Sequence, residues 1–186
     1  MKGVIFSLFN KLVEQKFGLE TWDQLLEKVH PASDGVYTTG DSYPDTELFA
    51  LIGELSKETK IKPDDLILEF GKYMIPAMAN NYPVFFQGLD FKQFILNVDG
   101  VIHVEVRKLF PDVKLPKITY EKPSPNKIIL IYKSDRHLCR LAEGLIDGAA
   151  IYFQTPIERI QSRCYHRGDD HCRFEITVKD KDGENV

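Results

Sequence analysis

The 186-residue sequence carries 24 basic and 28 acidic side chains, a formal net charge of −4, and 43% of its residues are hydrophobic. This length fits one domain with a real core, and the balanced charge without a long basic run excludes a nucleic-acid partner. No apolar stretch approaches the roughly 18 residues of a membrane span, and the N-terminal one is too short for a signal peptide. We therefore expect a cytoplasmic protein without membrane insertion.

Periodic apolar residues predict that the first half of the chain is mainly helical. The predicted helices cover residues 3–17, 21–29 and 45–59, and a fourth runs on from Pro63. Asp45 is a candidate cap for the third of them, after a loop rich in glycine, serine and proline. Residues 90–109 repeat the helical spacing, and His103 lies within their apolar run.

The second half of the chain predicts strands around one helix. It reads as a loop with four prolines over residues 111–126, a strand over 127–133, a helix capped by Ser134 and running to about Phe153, two strands flanking a turn at 167–170, and a charged tail over 179–186. Helices followed by an antiparallel sheet indicate the α+β class.

His103 is the first residue that suggests chemistry. Valine and isoleucine surround it on the predicted helix, so a buried neutral imidazole there must satisfy two ring nitrogens or bind something. Taken alone, a core histidine bonded to a backbone carbonyl is the simpler explanation. A neutral imidazole is also a common ligand of haem iron.

Tyr132, Ser134 and Arg136 stand at alternate positions where the predicted strand meets the helix. A period of two places their side chains on one face, which then offers two hydroxyls and one guanidinium. Such a set suits a carboxylate or a phosphate. A cap followed by a surface arginine is the alternative, since the pattern is short.

Together these signals resemble the H-NOX family, the haem–nitric oxide/oxygen binding domains related to the sensor domain of soluble guanylate cyclase. The similar segments are MKGVIFSLF at the start, DGVIHVEVRKLFPD around His103, YKSDR with the Tyr-x-Ser-x-Arg motif, and EGLIDGAA at residues 143–150. The resemblance covers nearly the whole chain. It implies a helical N-terminal lobe and a C-terminal lobe with an antiparallel sheet, with haem b between them.

The resemblance also implies roles for single residues. His103 becomes the axial iron ligand, Tyr132, Ser134 and Arg136 hold the haem propionates, and Pro116 presses on the porphyrin and distorts it. A rigid loop proline is the plain alternative for Pro116. One domain spans residues 1–186, with a helical lobe over about 1–63, a haem-ligating lobe over about 64–180 and a tail over 181–186.

Gas preference in this family follows the distal pocket, where oxygen binders place a tyrosine hydroxyl over the iron. Bound oxygen carries partial negative charge and gains from a donor, whereas nitric oxide gains much less. The aligned position here is Leu141. The other expected pocket residues are also apolar: Ile5, Phe9, Met74, Met78 and Leu145. We therefore expect nitric oxide and carbon monoxide to bind and oxygen not to bind. The sequence does not place the hydroxyls of Tyr73 and Tyr152 relative to the iron.

The resemblance further implies a mechanism without catalysis. Nitric oxide weakens the bond between iron and His103, and the helix that holds His103 is released or shifts. A separate effector, such as a histidine kinase or a diguanylate cyclase, then detects the change. The competing function is a haem enzyme, which would need a distal acid–base residue. Neither Leu141 nor Met74 is one.

Three cysteines, Cys139, Cys164 and Cys172, suggest a second site. Their odd number argues against a disulfide framework, and a hairpin would bring the last two together. A subgroup of the family has a structural zinc site at these cysteines with a histidine where this chain has Gln161. His166, His171 or water would then complete zinc coordination. Three reduced thiols, or a zinc/thiol redox sensor, are the alternatives.

Overall fold

Helices dominate the first part of the computed structural model, which describes residues 1–180. The helices are α1 (Gly3–Phe17), α2 (Leu19–Val29), α3 (Asp45–Thr59), α4 (Pro63–Asn81), α5 (Phe91–Asn97), α6 (His103–Leu109) and α7 (Cys139–Tyr152). The first and fourth begin where the apolar periodicity predicts, and the third begins at Asp45, the residue predicted to cap it. The end of the predicted charged tail, residues 181–186, lies outside the described residues. No helix within residues 1–180 is long and apolar enough to cross a membrane.

Two predicted caps are wrong. Asp45 is the first residue inside α3, because Pro44 occupies the capping position. Ser134 precedes a turn, and α7 begins five positions later at Cys139 with Leu138 before it and no side-chain cap. His137, in a left-handed conformation with φ 51°, lies in the intervening turn and delays the start of the helix.

The predicted helix over residues 90–109 is interrupted. Asp90 caps α5 through a capping box with Gln93, and a π-helical turn at Val98–Ile102 then separates α5 from α6. The turn contains Gly100 and β-branched residues, which have a low preference for the α-helix. Such π-turns are frequent at functional sites, and this one ends at His103.

Four antiparallel strands form one sheet in the order β1-β2-β4-β3. The strands are β1 (Lys117–Ser124), β2 (Lys127–Lys133), β3 (Ile157–Arg163) and β4 (Cys172–Val178). The loop prediction for residues 111–126 is therefore wrong over β1. Pro123 is tolerated because β1 is an edge strand and its ladder shifts register between Glu121 and Ser124. The other edge strand, β3, shifts register between Gln161 and Arg163.

Two hydrophobic clusters form the core. The N-terminal cluster contains buried residues of α1, α2, α3 and α4, while the C-terminal cluster contains those of the sheet, α5, α7 and the end of α4. Met78 on α4 and Leu145 on α7 pack against both clusters. These two helices therefore join the two parts of the molecule.

Glycines allow α4 and α7 to approach closely. A Cβ on Gly144 would lie 2.1 Å from the Leu68 carbonyl oxygen and 2.9 Å from the Gly71 Cα. A Cβ on Gly71 would lie 2.6 Å from the Leu141 carbonyl oxygen. Real Cβ contacts are longer, so only glycine fits at this crossing.

Candidate functional site

His103 is the first residue of α6, and its side chain is 13% exposed. Its Nδ1 lies 3.2 Å from Oδ1 of Asp99, which is on the π-helical turn. Sequence reasoning missed Asp99, although a spacing of four residues on a predicted helix brings two side chains to the same face. The structure thus gives the predicted ligand a carboxylate partner.

The surroundings of His103 favour a neutral ring. Burial lowers the pKa of His103, and the charge of Arg107 acts in the same direction, while the hydrogen bond and charge of Asp99 oppose them. A neutral imidazole has one N–H, which Nδ1 donates to the carboxylate in this geometry. The lone pair is then on Nε2, the atom that is left to bind a metal ion.

The Tyr-x-Ser-x-Arg motif lies at the end of β2 and in the turn that follows it. Tyr132 is 5% exposed, and burial raises the pKa of its hydroxyl to about 12, so it stays a proton donor. The Ser134 Oγ accepts the backbone N–H of Arg136 at 3.2 Å, and the Ser134 N–H donates to the Tyr165 hydroxyl at 3.3 Å. These bonds fix the turn, so the motif is a rigid set of donors.

Arg136 connects this turn to two distant segments. Its Nε donates to the carboxylate of Asp45 on α3, and its Nη1 donates to the carbonyl of Lys114. The second bond holds the loop in which Pro116 directly precedes β1. Sequence reasoning did not find either partner, because Asp45 lies 91 positions away and Lys114 contributes only its backbone.

Asp45 also binds the amino group of Met1 at 2.6 Å. Burial alone would raise the pKa of Asp45, but hydrogen bonds from Arg136 and from Met1 outweigh it and lower this pKa. The carboxylate therefore stays charged near neutral pH, and it lies in the first turn of α3, where a negative charge is favourable. It links the helical part of the chain to the motif that follows β2.

All six residues of the predicted distal pocket lie in or against the N-terminal cluster. Phe9 and Met74 are buried within it. The other four are half-buried and pack on it: Ile5, Met78, Leu141 and Leu145. The structure thus brings residues of α1, α4 and α7 together, and every side chain among the six is apolar.

Tyr73 and Tyr152, whose hydroxyls the sequence could not place, lie in different surroundings. Tyr152 at the end of α7 is 41% exposed, and its ring contacts Phe86 and Phe153. Tyr73 packs on the N-terminal cluster, where burial and the charge of Glu14 on α1 raise the pKa of its hydroxyl. One of the two therefore lies in the C-terminal part, and the other near the half-buried Glu14 of α1.

The three cysteines form a compact buried group. Their sulfur atoms all lie within 4.8 Å of one another, and the Sγ atoms of Cys139 and Cys172 are 2.7 Å apart. The hydrogen bond between these two thiols lowers the pKa of Cys172 and raises that of Cys139. The group is suited to bind a soft metal ion or to undergo thiol chemistry.

Neither candidate histidine joins the cysteine group. His166 Nε2 lies 3.0 Å from the carbonyl oxygen of His137, and His171 Nδ1 lies 2.6 Å from Asp170. The buried Gln161 side chain lies close enough to Cys172 to contribute to the lowered pKa of that thiol. Over the part of the chain that the structure describes, the group of metal-ligating side chains at this point contains only the three cysteines.

Comparisons of the sequence and of the structure with known proteins both find similarity to haem-binding domains. The family profile described as Haem-NO-binding matches residues 2–161. Soluble guanylate cyclase 89Db of Drosophila melanogaster is 24% identical over 139 residues, which is 73% of this chain and 20% of that protein. The chain thus spans about a fifth of the length of this relative.

Solved structures are similar over nearly the whole chain. An H-NOX protein from Shewanella oneidensis in the Fe(II)NO state has 34% identity and a TM-score of 0.91, over 97% of this chain and 100% of that one. Unliganded Fe(II) H-NOX from K. algicida, as the A71G mutant, has 33% identity and a TM-score of 0.87, over 97% and 98% of the chains. IWP-051-bound H-NOX from Shewanella woodyi in the Fe(II)CO state has 34% identity and a TM-score of 0.87, over 100% and 98%. The chain belongs to the haem-NO-binding (H-NOX) family of haem-binding gas sensor domains.

Proposed function

We propose that this H-NOX domain senses nitric oxide in preference to oxygen and passes the signal to a separate effector protein. The observation that carries the proposal is the all-apolar group of Phe9, Met74 and Leu141 with their three neighbours, in a domain whose family binds haem. Relatives in the Fe(II)NO and Fe(II)CO states support nitric oxide and carbon monoxide as ligands.

We propose haem b as the bound cofactor, because the residues present suit a haem. The neutral His103 ring has its lone pair on Nε2, which is the donor that haem iron takes from a proximal histidine. Tyr132 and Ser134 supply two hydroxyls for carboxylates. The Arg136 guanidinium, which bonds Asp45 and the Lys114 carbonyl here, would exchange part of these bonds for a haem carboxylate. We propose that these residues hold the haem, and that Pro116 contacts its ring. When bound, haem would supply a ferrous iron that binds diatomic gases.

The proposed preference for nitric oxide over oxygen follows from the absence of a hydrogen-bond donor among the six pocket side chains. Isoleucine, phenylalanine, methionine and leucine side chains have no N–H or O–H, so bound oxygen would gain no hydrogen bond from any of the six. Hydrogen bonds to charged groups are worth about 1.5–3 kcal/mol, which is roughly a tenfold or larger change in affinity. We propose that this missing donor is sufficient to exclude oxygen.

The signal would pass through the helix that begins at His103. Because α6 has only seven residues and follows a π-turn, few helical hydrogen bonds resist its movement. We propose that release or shift of His103 moves α6 relative to the helical lobe of residues 1–63 and changes the surface of the lobe of residues 64–180. A histidine kinase or a diguanylate cyclase is the proposed effector class.

The first test is the absorption spectrum of the ferrous protein under argon, in air and with nitric oxide. A five-coordinate ferrous spectrum that changes with nitric oxide and not with air would support the proposal. A protein that takes up no haem during expression with haem supplied would refute it.

The second test is His103→Gly. We expect haem to be lost unless imidazole is added, because nothing else in the variant replaces the ring nitrogen. Measurement of haem content with and without imidazole tests the assignment, and unchanged haem retention without imidazole would contradict it.

The buried cysteine group favours a second candidate function, a zinc/thiol redox sensor. Structural zinc is almost always four-coordinate, and Cys139, Cys164 and Cys172 supply three ligands, so water would have to be the fourth. Metal analysis and thiol titration of the purified protein distinguish a zinc site from three free thiols. If metal content and thiol reactivity both stay constant under oxidants, this second function is excluded.

A further inference from the structure

The π-helical turn at Val98–Ile102 determines how His103 enters α6. The backbone N–H of His103 bonds the carbonyl of Val98, five residues earlier, instead of the carbonyl four residues earlier. On this wider turn the Asp99 carboxylate still reaches the imidazole, at 3.2 Å from Nδ1. The backbone and the side-chain bond therefore fix the ring together.

The carboxylate has an effect that a neutral acceptor would not have. A hydrogen bond from an imidazole N–H to an ionised acid is stronger than one to a carbonyl, and it moves electron density toward the other nitrogen. In metal sites such a partner fixes the tautomer of the ligating histidine and raises its basicity. Asp99 is 30% exposed and the His103 ring 13%, so bulk water competes with this bond only in part.

Arg107 and Tyr120 also interact electrostatically with this pair. Arg107, one turn later on α6, acts on the ring with the opposite charge. The Tyr120 hydroxyl on β1 is buried beside Asp99: burial and the charge of Asp99 raise its pKa, and a hydrogen bond with the Asp99 backbone lowers it. Asp99 is thus the group that bonds the ring directly.

We propose that Asp99 is a positioning residue for the iron ligand: it holds His103 as the Nδ1–H tautomer and strengthens Nε2 as a donor. Asp99 therefore opposes the release of His103 and sets how readily nitric oxide can trigger the sensor. This inference rests on the proposed function, since it concerns how the same histidine is retained and released.

The test compares Asp99→Asn with wild type by resonance Raman spectroscopy of the ferrous haem protein. Asparagine keeps the shape and an acceptor oxygen but removes the charge. We expect the iron–histidine stretching band to shift to lower frequency and the haem reduction potential to rise. Release of His103 in the presence of nitric oxide should become about tenfold more favourable, the lower end of the effect of losing such a partner.

Glu105→Gln is the matched control. Glu105 lies on the same helix, is 43% exposed and pairs with Lys108, so its substitution removes one negative charge without changing a contact to the ring. We expect the Raman band and the potential to stay at the wild-type values. Asp99→Glu, which restores the charge, should recover part of the shift.

The outcomes separate the two proposals. A wild-type protein without haem refutes the proposed function itself. Haem-loaded Asp99→Asn with the same band and potential as Glu105→Gln overturns the role of Asp99 and leaves the function intact. If Asp99→Asn fails to retain haem, nitrogen-15 NMR of the His103 ring in wild type with carbon monoxide bound tests the proposal instead. A protonated Nδ1 with a strongly deshielded proton supports it. A protonated Nε2, or an Nδ1–H exposed to water, overturns it.

Discussion

The contact between α4 and α7 gives the sharpest prediction on stability. A methyl group on Gly144 would lie 2.1 Å from a backbone oxygen of Leu68, so Gly144→Ala must force the two helices apart. Overpacking costs about 1–3 kcal/mol, and a contact with rigid backbone belongs at the upper end. Alanine regains about 1 kcal/mol of helix propensity. We expect a net loss of about 2 kcal/mol, which for this chain length lowers Tm by about 4–8 °C.

Gly53→Ala is the matched control, because Gly53 lies inside α3 and a Cβ there meets nothing within 4 Å. Here only the propensity changes, and we expect about 1 kcal/mol of stabilisation. Thermal unfolding followed by circular dichroism, at equal haem content, measures both variants. If Gly144→Ala were as stable as Gly53→Ala, the close crossing of the two helices would be refuted.

Three further predictions concern the site and its supports. Leu141→Tyr should gain at most partial oxygen binding, because its apolar neighbours cannot hold the new hydroxyl; a stable complex in air would contradict this. The lowered pKa of Asp45 means that its pairing with Arg136 stabilises the fold above the usual value of 3.8 and stops doing so as pH falls through the lowered pKa. In Asp45→Asn, the free energy of unfolding measured in urea should therefore depend less on pH in the acid range. An unchanged pH dependence would argue against the Asp45–Arg136 ion pair. Glu143 is 4% exposed and bonds Arg159 at 3.1 Å, so Glu143→Gln should lower the free energy of unfolding by about 2 kcal/mol. Urea titration measures this loss, and an unchanged free energy of unfolding would show that the ion pair does not stabilise the fold.

Periodicity predicted the fold where local pattern decides it. The apolar stripes of α1, α3 and α4 are long and regular, and the α+β class and the family resemblance are confirmed. The prediction failed where a tertiary contact overrides local preference. The strand β1 has a sequence that reads as loop, and it is a strand because it pairs with β2 through residues such as Ile118 and Tyr120.

In the candidate site, too, residues with a local sequence signal were predicted, and a residue set by a distant contact was missed. His103 and the Tyr-x-Ser-x-Arg motif were found from their own residue types and spacing, and their roles toward haem stay predictions. Asp45 was missed as a partner of Arg136, since a separation of 91 positions leaves no local signal. Asp99 could have been found, because an acid four residues before a helical histidine is a pattern readable from sequence.

The two edge strands have a consequence for the behaviour of the protein in concentrated solution. Both β1 and β3 have broken register, Pro123 interrupts the first, and Glu158 and Arg163 put charges on the second. Irregular, charged edges with proline pair poorly with the strands of another molecule. Both edges of the sheet therefore disfavour pairing with the sheet of another copy, which would lower the tendency to aggregate edge to edge in concentrated solution.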